Sequence, residues 1–227
     1  MKLLTLFLLF FSFVAQNVHA GRFDPEQTAP AAGSHPVIEE NNRTFIVDRA
    51  GERWNITTAV KEYGMDPKLF HFGLGREAFT PIQNPKVLSA PPSGDPMIFG
   101  VVHKGEARAY DRASLTRHET AIDKLAGDRV LVAHCYLADL AGVYESTVDG
   151  KSLTLVASGW TYHNGHHDTF VLYDKETNSL WFPFAKDDFF VAIAGPLKGK
   201  KLKEIASMKR TTFSKWKKNH PKTGYIL

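Results

Sequence analysis

Short apolar segments in which side chains alternate between hydrophobic and polar recur along the chain, and this pattern predicts a domain built around an antiparallel sheet. Two such segments flank a turn at Gly105 and are expected to pair with each other. The alternation within 129–137 is typical of a buried strand. The predicted strands cover residues 44–48, 97–102, 107–110, 129–137, 153–162, 169–173 and 179–184.

Two segments are predicted to be helical. Thr57 or Thr58 is a suitable N-cap for a short helix that runs through Tyr63 and ends at Gly64. Asp111 is a suitable N-cap for a longer helix over 111–126, with Gly127 as its C-terminal stop. No βαβ pattern repeats, so the expected fold class is α+β: a mainly antiparallel β-sheet with one or two packed helices in a single domain.

The N-terminus has the pattern of a cleavable signal peptide. Lys2 precedes an apolar run over 3–15, and small residues occupy the positions before a cut after Ala20. We therefore expect residues 1–20 to be removed and the protein to be secreted or periplasmic. Residues 21–43, rich in Pro, Ala and Gly, are predicted to be a flexible arm before one globular domain over 44–227. No later segment is apolar enough to predict a transmembrane span.

One candidate site combines polar residues at positions expected to be packed. The spacing of Leu115, His118, Ile122 and Leu125 places His118 on the core-facing stripe of the predicted helix, with Glu119 at its edge. The following strand would present either Cys135 or His134 toward that helix. We therefore take His118, Glu119 and Cys135 as candidate catalytic residues.

A cysteine beside a histidine has two chemical uses. Imidazole lowers the thiol pKa and produces a nucleophilic thiolate, or the pair ligates copper or zinc. The alternative is a buried cysteine that packs as a small apolar residue beside a core histidine. Cys135 is the sole cysteine, so no intramolecular disulfide is expected. Arg108 is a further candidate, either as a partner of Glu119, as a holder of an anionic ligand, or in a structural salt bridge.

A second histidine cluster lies at a predicted hairpin tip. Asn164-Gly165 is a favoured two-residue turn, which would place His163 and His166 opposite each other, with His167 beside them. This arrangement predicts a divalent-metal site, although polar residues at an exposed hairpin tip need no function. Residues 73–78 resemble a dinucleotide fingerprint, but prolines follow where a helix is required, so no nucleotide is expected.

Positive charge is concentrated near the C-terminus. Residues 198–222 hold ten basic residues and a single acidic one, Glu204. This segment indicates an anionic surface or polysaccharide as partner, through Lys215, Lys217 and Lys218, or else a solvated helix face docked on the domain. Trp216 is expected to anchor the segment to the core.

Several motifs together resemble the family called domain of unknown function 3179. The resemblance covers about residues 70–227 and implies a mostly bacterial exported or envelope-associated domain, with no activity attached to it. The segments that carry it are Gly105-Glu106-Ala107-Arg108-Ala109-Tyr110, His118-Glu119, Cys135, Ser158-Gly159, Asp174-Lys175-Glu176-Thr177-Asn178-Ser179-Leu180-Trp181 and Gly195-Pro196-Leu197.

The chain departs from that family's pattern at the cysteine motif. The family typically has Cys-Pro-Leu-Cys where this chain has Cys135 followed by Tyr136, Leu137 and Ala138, so the second cysteine is missing. A mechanism that cycles a disulfide is therefore not expected here. A metal site would need His163, His166 or His167 in place of the missing thiolate; otherwise the chain keeps the fold and has lost the site.

Overall fold

The computed structural model describes residues 37–47, 51, 53–71, 80–136, 138–163, 168–184 and 189–227. Over these residues the chain forms nineteen strands and three α-helices of seven residues each. The fold is therefore β-rich, and the predicted α+β class is wrong. The main reason is that the long helix expected over 111–126 is helical only in its first half.

The helices are α1 (Thr57–Tyr63), α2 (Arg112–His118) and α3 (Phe213–Asn219), with one 3-10 helix at Pro67–Leu69. The strands are β1 (Val37–Glu40), β2 (Arg43–Val47), β3 (Arg53–Asn55), β4 (Phe70–His71), β5 (Ile82–Gln83), β6 (Met97–His103), β7 (Glu106–Asp111), β8 (Thr120–Leu125), β9 (Asp128–Cys135), β10 (Leu140–Glu145), β11 (Thr147–Val148), β12 (Lys151–Ser152), β13 (Leu155–His163), β14 (Asp168–Asp174), β15 (Leu180–Phe184), β16 (Phe189–Ala194), β17 (Lys201–Ser207), β18 (Lys209–Thr212) and β19 (Gly224–Ile226).

One sheet of ten strands dominates the fold, in the order β4-β13-β14-β15-β16-β17-β10-β9-β8-β5. Its neighbours are antiparallel except for β5, which pairs in parallel with β8. A second sheet has the order β18-β6-β7-β19, in which the C-terminal strand β19 lies parallel to β7. Strands β1 to β3 form a small third sheet, and β11 and β12 form a hairpin.

The ten-stranded sheet curls so that its two halves share one apolar core. Leu131, Ala133 and Cys135 of β9 pack in the same cluster as Trp181 of β15 and Phe190 of β16, although β17 and β10 lie between these strands in the sheet. Burial of both halves against each other removes apolar surface from water and stabilises the curled arrangement.

The outer faces of the curled sheet are covered by separate layers. On the β8–β10 half, Val130 and Val132 pack against Phe99 and Tyr110 of the four-stranded sheet and against Leu115 of α2. The β13–β16 half is covered by α1 and the small N-terminal sheet. Helix α3 packs on the four-stranded sheet, in a cluster of Ile98, Ala109, Phe213, Trp216 and Tyr225.

Helix α2 begins as predicted and ends earlier than predicted. The Asp111 carboxylate accepts a hydrogen bond from the Ser114 backbone N–H at 2.8 Å, which confirms it as the N-cap. The helix ends at His118 because Glu119 adopts a left-handed conformation, with φ of 59°. The next six residues form β8, which pairs with β9, and Gly127 lies in the turn between these strands.

Most of the predicted strands are confirmed, with ends that differ by a few residues. Within the predicted arm 21–43, Val37–Glu40 form β1 and pair with β2. The predicted signal peptide 1–20 lies outside the described residues. In the part of the chain that is described, no helix is both long enough and apolar enough to cross a bilayer.

Candidate functional site

The pairing of β8 with β9 brings His118 and Glu119, at the end of α2, to the end of the sheet where His134 and Cys135 lie. The backbone N–H of His134 donates to the carbonyl of Glu119 at 2.8 Å, directly beyond the Thr120–Ala133 pair of β8 and β9. The end of α2 therefore lies beside the end of β9. We call this region the α2–β9 junction and define it as His118, Glu119, His134, Cys135 and Tyr136.

His118 is half-buried at the end of α2. Its Nδ1 lies 2.6 Å from the carbonyl oxygen of Thr80. A carbonyl only accepts, so Nδ1 carries the hydrogen in this contact, and in the neutral ring Nε2 keeps its lone pair. The same arrangement orients histidines that act as bases or as metal ligands. His118 was expected on the core-facing stripe of a longer helix; the helix ends at this residue, and its side chain is only half-buried.

Glu119 is the buried carboxyl of the junction. The residue is only 8% exposed. Its backbone has the left-handed φ of 59° that ends α2. Burial raises the pKa of its carboxyl to about 7, from an ordinary value of 4.5. Within the described residues, no hydrogen bond or ion pair reaches this carboxylate. A desolvated carboxyl with a raised pKa, on a residue with a left-handed backbone, is an arrangement that clusters at functional sites.

Cys135 and Tyr136 lie at the end of β9. Cys135 is 1% exposed and faces the shared core of the curled sheet, on the side away from α2. Burial raises the pKa of the Tyr136 hydroxyl, and the charges of Glu119 and Cys135 raise it further. Glu119 and Cys135 therefore both raise the pKa of the Tyr136 hydroxyl, although Cys135 and α2 lie on opposite faces of the sheet.

His134, and not Cys135, occupies the face of β9 that packs under α2. It is 1% exposed, with its ring centroid 4.6 Å from that of Phe99. The backbone of Leu115 approaches the ring, but neither ring nitrogen makes a hydrogen bond of good geometry among the described residues. Burial lowers the pKa of His134 to about 4, and the positive charges of Arg112 and Arg210 add to this effect. The imidazole is therefore neutral at ordinary pH.

The predicted metal ligands are only partly described. His163 ends β13, and the strand register pairs it with Asp168, so the expected pairing of His163 with His166 is wrong. The side chain of His163, together with His166 and His167, lies outside the described residues. Among described residues, no three His, Cys, Asp or Glu side chains lie close enough to hold a metal ion. Metal binding by Cys135 and His118 with these histidines stays a prediction.

Arg108 pairs with two carboxylates other than that of Glu119. Its Nη2 contacts Glu106 and also donates to the carbonyl of Lys124 at 3.3 Å. Its Nη1 lies 3.6 Å from Asp123 Oδ2, and that oxygen accepts a hydrogen bond from the Tyr110 hydroxyl at 2.8 Å. Both the Arg108 and Asp123 side chains are 6% exposed. Of the alternatives for Arg108, the structural salt bridge is present, formed with Glu106 and Asp123.

A cleft of about 620 Å³ opens beside this network. Its walls include Arg108, Asp123, Lys124 and Arg129, with Asn84 at one side. Arg129 donates from Nη2 to the carbonyl of Leu153 at 3.2 Å and to Thr154 Oγ1 at 3.1 Å.

A comparison with known protein families covers the residues of both the α2–β9 junction and the cleft. Residues 77–226 match the family described as "Protein of unknown function (DUF3179)". The chain belongs to the DUF3179 family. The match spans the α2–β9 junction, the Arg108 network and the C-terminal segment, and it confirms the family resemblance recognised in the motifs. No curated protein and no solved structure matches the chain.

The basic C-terminal segment of this DUF3179 domain includes α3. Lys215 and Lys218 are exposed on that helix, and Lys217 Nζ donates to the carbonyl of Ser89 at 2.8 Å. Trp216 is 5% exposed and donates from Nε1 to Thr223 Oγ1 at 2.9 Å, so it anchors the helix as predicted.

Sequence reasoning missed three residues of the DUF3179 domain that surround Arg108. Tyr110 lay on a predicted strand, but nothing in the pattern identified its partner. Asp123 was placed on a predicted helix, but it lies on strand β8, so the direction of its side chain was not predicted. Arg129 opens the apolar run of β9, and a charge at that position is the signal that was available.

Proposed function

We propose that this DUF3179 protein is exported and carries a reactive polar centre at the α2–β9 junction. In this centre Glu119 exchanges a proton, His118 presents Nε2 as a base or ligand, and Cys135 supplies a thiol or a metal ligand. The observation that carries the proposal is the buried carboxyl of Glu119, which no described side chain pairs. An isolated buried carboxyl costs stability unless a bound group or a proton offsets its charge.

The position of His118 supports the proposal independently of Glu119. Its Nδ1 is occupied by the Thr80 carbonyl, which restricts the ring orientation. A histidine held through one nitrogen and unoccupied at the other is suited to proton transfer or to metal ligation.

Two chemistries remain for Cys135. As a metal ligand, its thiolate would act with His118 and with histidines outside the described residues, and copper or zinc would suit this ligand set. As a reactive thiol, it would depend on a nearby base to form the thiolate. Because Cys135 faces the apolar core on the side of the sheet away from α2, either chemistry requires a rearrangement of the junction that exposes the thiol; the alternative is a buried cysteine that packs as a small apolar residue.

Elemental analysis of the mature protein, purified from an exported source without chelators, separates these chemistries. The wild type is compared with Cys135→Ala and His118→Ala, and with His220→Ala as a control whose ring stacks on Trp216 in α3. Stoichiometric copper or zinc that disappears in the two junction variants and persists in the control establishes a metal centre.

Thiol labelling of the folded protein covers the other outcome. If the protein holds no metal, a reactive thiol predicts labelling of Cys135 that slows in Glu119→Gln. A protein with no metal and with Cys135 unreactive until it unfolds would contradict the proposed centre. The mass of the exported protein tests the compartment, because cleavage of the signal peptide leaves Gly21 as the first residue.

A second candidate function is binding to an anionic polymer or surface through the basic C-terminal segment. The observation that favours it is the exposure of Lys215 and Lys218 on a helix that Trp216 holds in place. Retention on heparin should fall with added salt and should be lost when Lys215, Lys217 and Lys218 are replaced by Gln. A matched triple variant at Lys61, Lys151 and Lys175 should leave retention unchanged; equal loss in both variants would indicate a general charge effect.

A further inference from the structure

The guanidinium group of Arg108 is almost completely buried and incompletely paired. Its Nη2 has partners in Glu106 and in the carbonyl of Lys124. Its Nε and Nη1 have no hydrogen-bond partner among the described residues. Buried donors without partners are rare in folded proteins, and each one calls for a physical explanation.

The neighbouring carboxylate cannot supply the missing bonds in its present position. Asp123 Oδ2 is already held by the Tyr110 hydroxyl at 2.8 Å, which leaves it 3.6 Å from Arg108 Nη1. That separation exceeds a hydrogen bond. The backbone of Arg108 is also held on both sides, since β7 pairs with β6 and with β19.

Arg129, which lines the same cleft, also has a buried donor without a partner among the residues described. Its Nε is buried and has no hydrogen-bond partner within the described part of the chain. Lys124 is exposed at the cleft and adds a third positive charge. The three cations at the cleft are opposed by the carboxylates of Asp123 and Glu106, which leaves one excess positive charge.

The cleft itself has room for more than a single ion. Its volume is about 620 Å³, and Pro85, Val87 and Ile122 provide apolar walls beside the charged groups. Binding sites for small molecules commonly combine such apolar walls with a few placed polar groups. The combination fits a ligand that has an apolar body and an anionic head.

We infer that this cleft binds a small organic anion, whose carboxylate or phosphate oxygens accept hydrogen bonds from Arg108 and Arg129 and whose charge Lys124 helps to balance. Guanidinium groups are the preferred partners of both oxyanions. The site lies on β7, β8 and β9 and does not depend on the chemistry of the α2–β9 junction.

Titration calorimetry with two simple probes tests the inference and distinguishes the two anionic groups. Benzoate carries a carboxylate on an apolar ring, phenylphosphate carries a phosphate on the same ring, and benzyl alcohol is the uncharged control. Saturable binding of benzoate or phenylphosphate, with no binding of benzyl alcohol, is expected, and the tighter of the two identifies the preferred group. Absence of saturable binding by both anions would overturn the inference.

Variants then locate the binding. Lys124→Gln should weaken the better anion about two- to fivefold, as expected for a partly exposed charge contact. Lys151→Gln removes the same charge at an exposed position on β12 and should leave affinity unchanged. Equal weakening by both variants would show general attraction to a basic protein and would overturn the site.

Arg108→Met should weaken binding about tenfold or more, as expected for the loss of a charge-assisted contact. Because this change leaves Glu106 and Asp123 without their cation, circular dichroism must first establish that the variant is folded. If it is not folded, the Lys124 and Lys151 pair decides the question. A folded Arg108→Met variant that binds the anion as tightly as the wild type would contradict the inference.

Discussion

Replacing Glu119 by Gln should remove a pH dependence of stability that the wild type carries near neutrality. In the folded protein the pKa of this carboxyl is about 7, against 4.5 for the ordinary group. The unfolded chain therefore releases the proton at lower pH than the folded protein does. The stability that Glu119 contributes is complete below pH 4.5 and is lost as pH rises through about 7.

The size of the effect follows from the size of the shift. One pKa unit corresponds to about 1.4 kcal/mol. Between about pH 5 and pH 8 the free energy of unfolding of Glu119→Gln should therefore rise by roughly 2–3 kcal/mol relative to the wild type. Any constant cost of burying the Gln amide cancels, because it is present at both pH values.

Urea unfolding followed by tryptophan fluorescence at the two pH values measures this difference directly. Glu62→Gln, which removes an exposed carboxyl on α1, controls for the loss of one negative charge. If the difference between Glu119→Gln and the wild type is the same at both pH values, the carboxyl is not desolvated in the folded protein. That result would also remove the main support for proton exchange at the α2–β9 junction.

Three further changes have expected outcomes. The pKa of His134 is lowered to about 4, so the stability it contributes is present above pH 6.5 and is lost as pH falls toward 4. His134→Phe should remove this acid sensitivity, which urea unfolding at about pH 5 and pH 8 measures. If the variant keeps the pH dependence of the wild type, the His134 ring is not desolvated in the folded protein. Gly100→Ala places a Cβ 2.5 Å from the ring of Trp216. It should destabilise the protein by about 1–3 kcal/mol and shift tryptophan emission, and normal stability would show that α3 yields easily. Asp174 is fully buried and accepts the Trp181 indole N–H at 2.8 Å. Asp174→Ala should cost about 1–3 kcal/mol or more in thermal unfolding, whereas a neutral change would show that this buried bond is replaceable.

The strands that pattern alone could predict are those with strict alternation. In β9 the predicted faces are the observed faces, with Leu131 and Ala133 in one core cluster and Val130 and Val132 in another. The cap at Asp111 was equally predictable, because a side-chain oxygen before a helical segment satisfies a local donor. Both features depend on interactions within a few residues.

The segment after α2 shows where pattern was misleading. Leu115, Ile122 and Leu125 fit a helical period, but β8 is buried on both faces and pairs with β9 along its length. A short segment buried on both sides has no period that distinguishes strand from helix. Sheet pairing, which involves residues outside the segment, decided its conformation.

The candidate sites divide in the same way. The sequence predicted that the segment with His118 and Glu119 would pack against the strand with Cys135, but it assigned the contact to a long helix. The pairing of β8 with β9 is what brings these residues to one end of the sheet. Which of His134 and Cys135 lies under α2 depends on which layer covers each face of β9, and that is a property of the packed domain.

The Arg108 cleft required the tertiary structure entirely. Its charged residues come from β7, β8 and β9, and the contact between Arg108 and Asp123 exists only because two sheets pack together. Sequence by itself determined the alternation of β9, the cap of α2 and membership of the DUF3179 family, because those depend on local order along the chain. Tertiary structure alone decided the β-rich fold, the face of Cys135 and the unpaired guanidinium donors, because burial and pairing depend on residues distant in sequence.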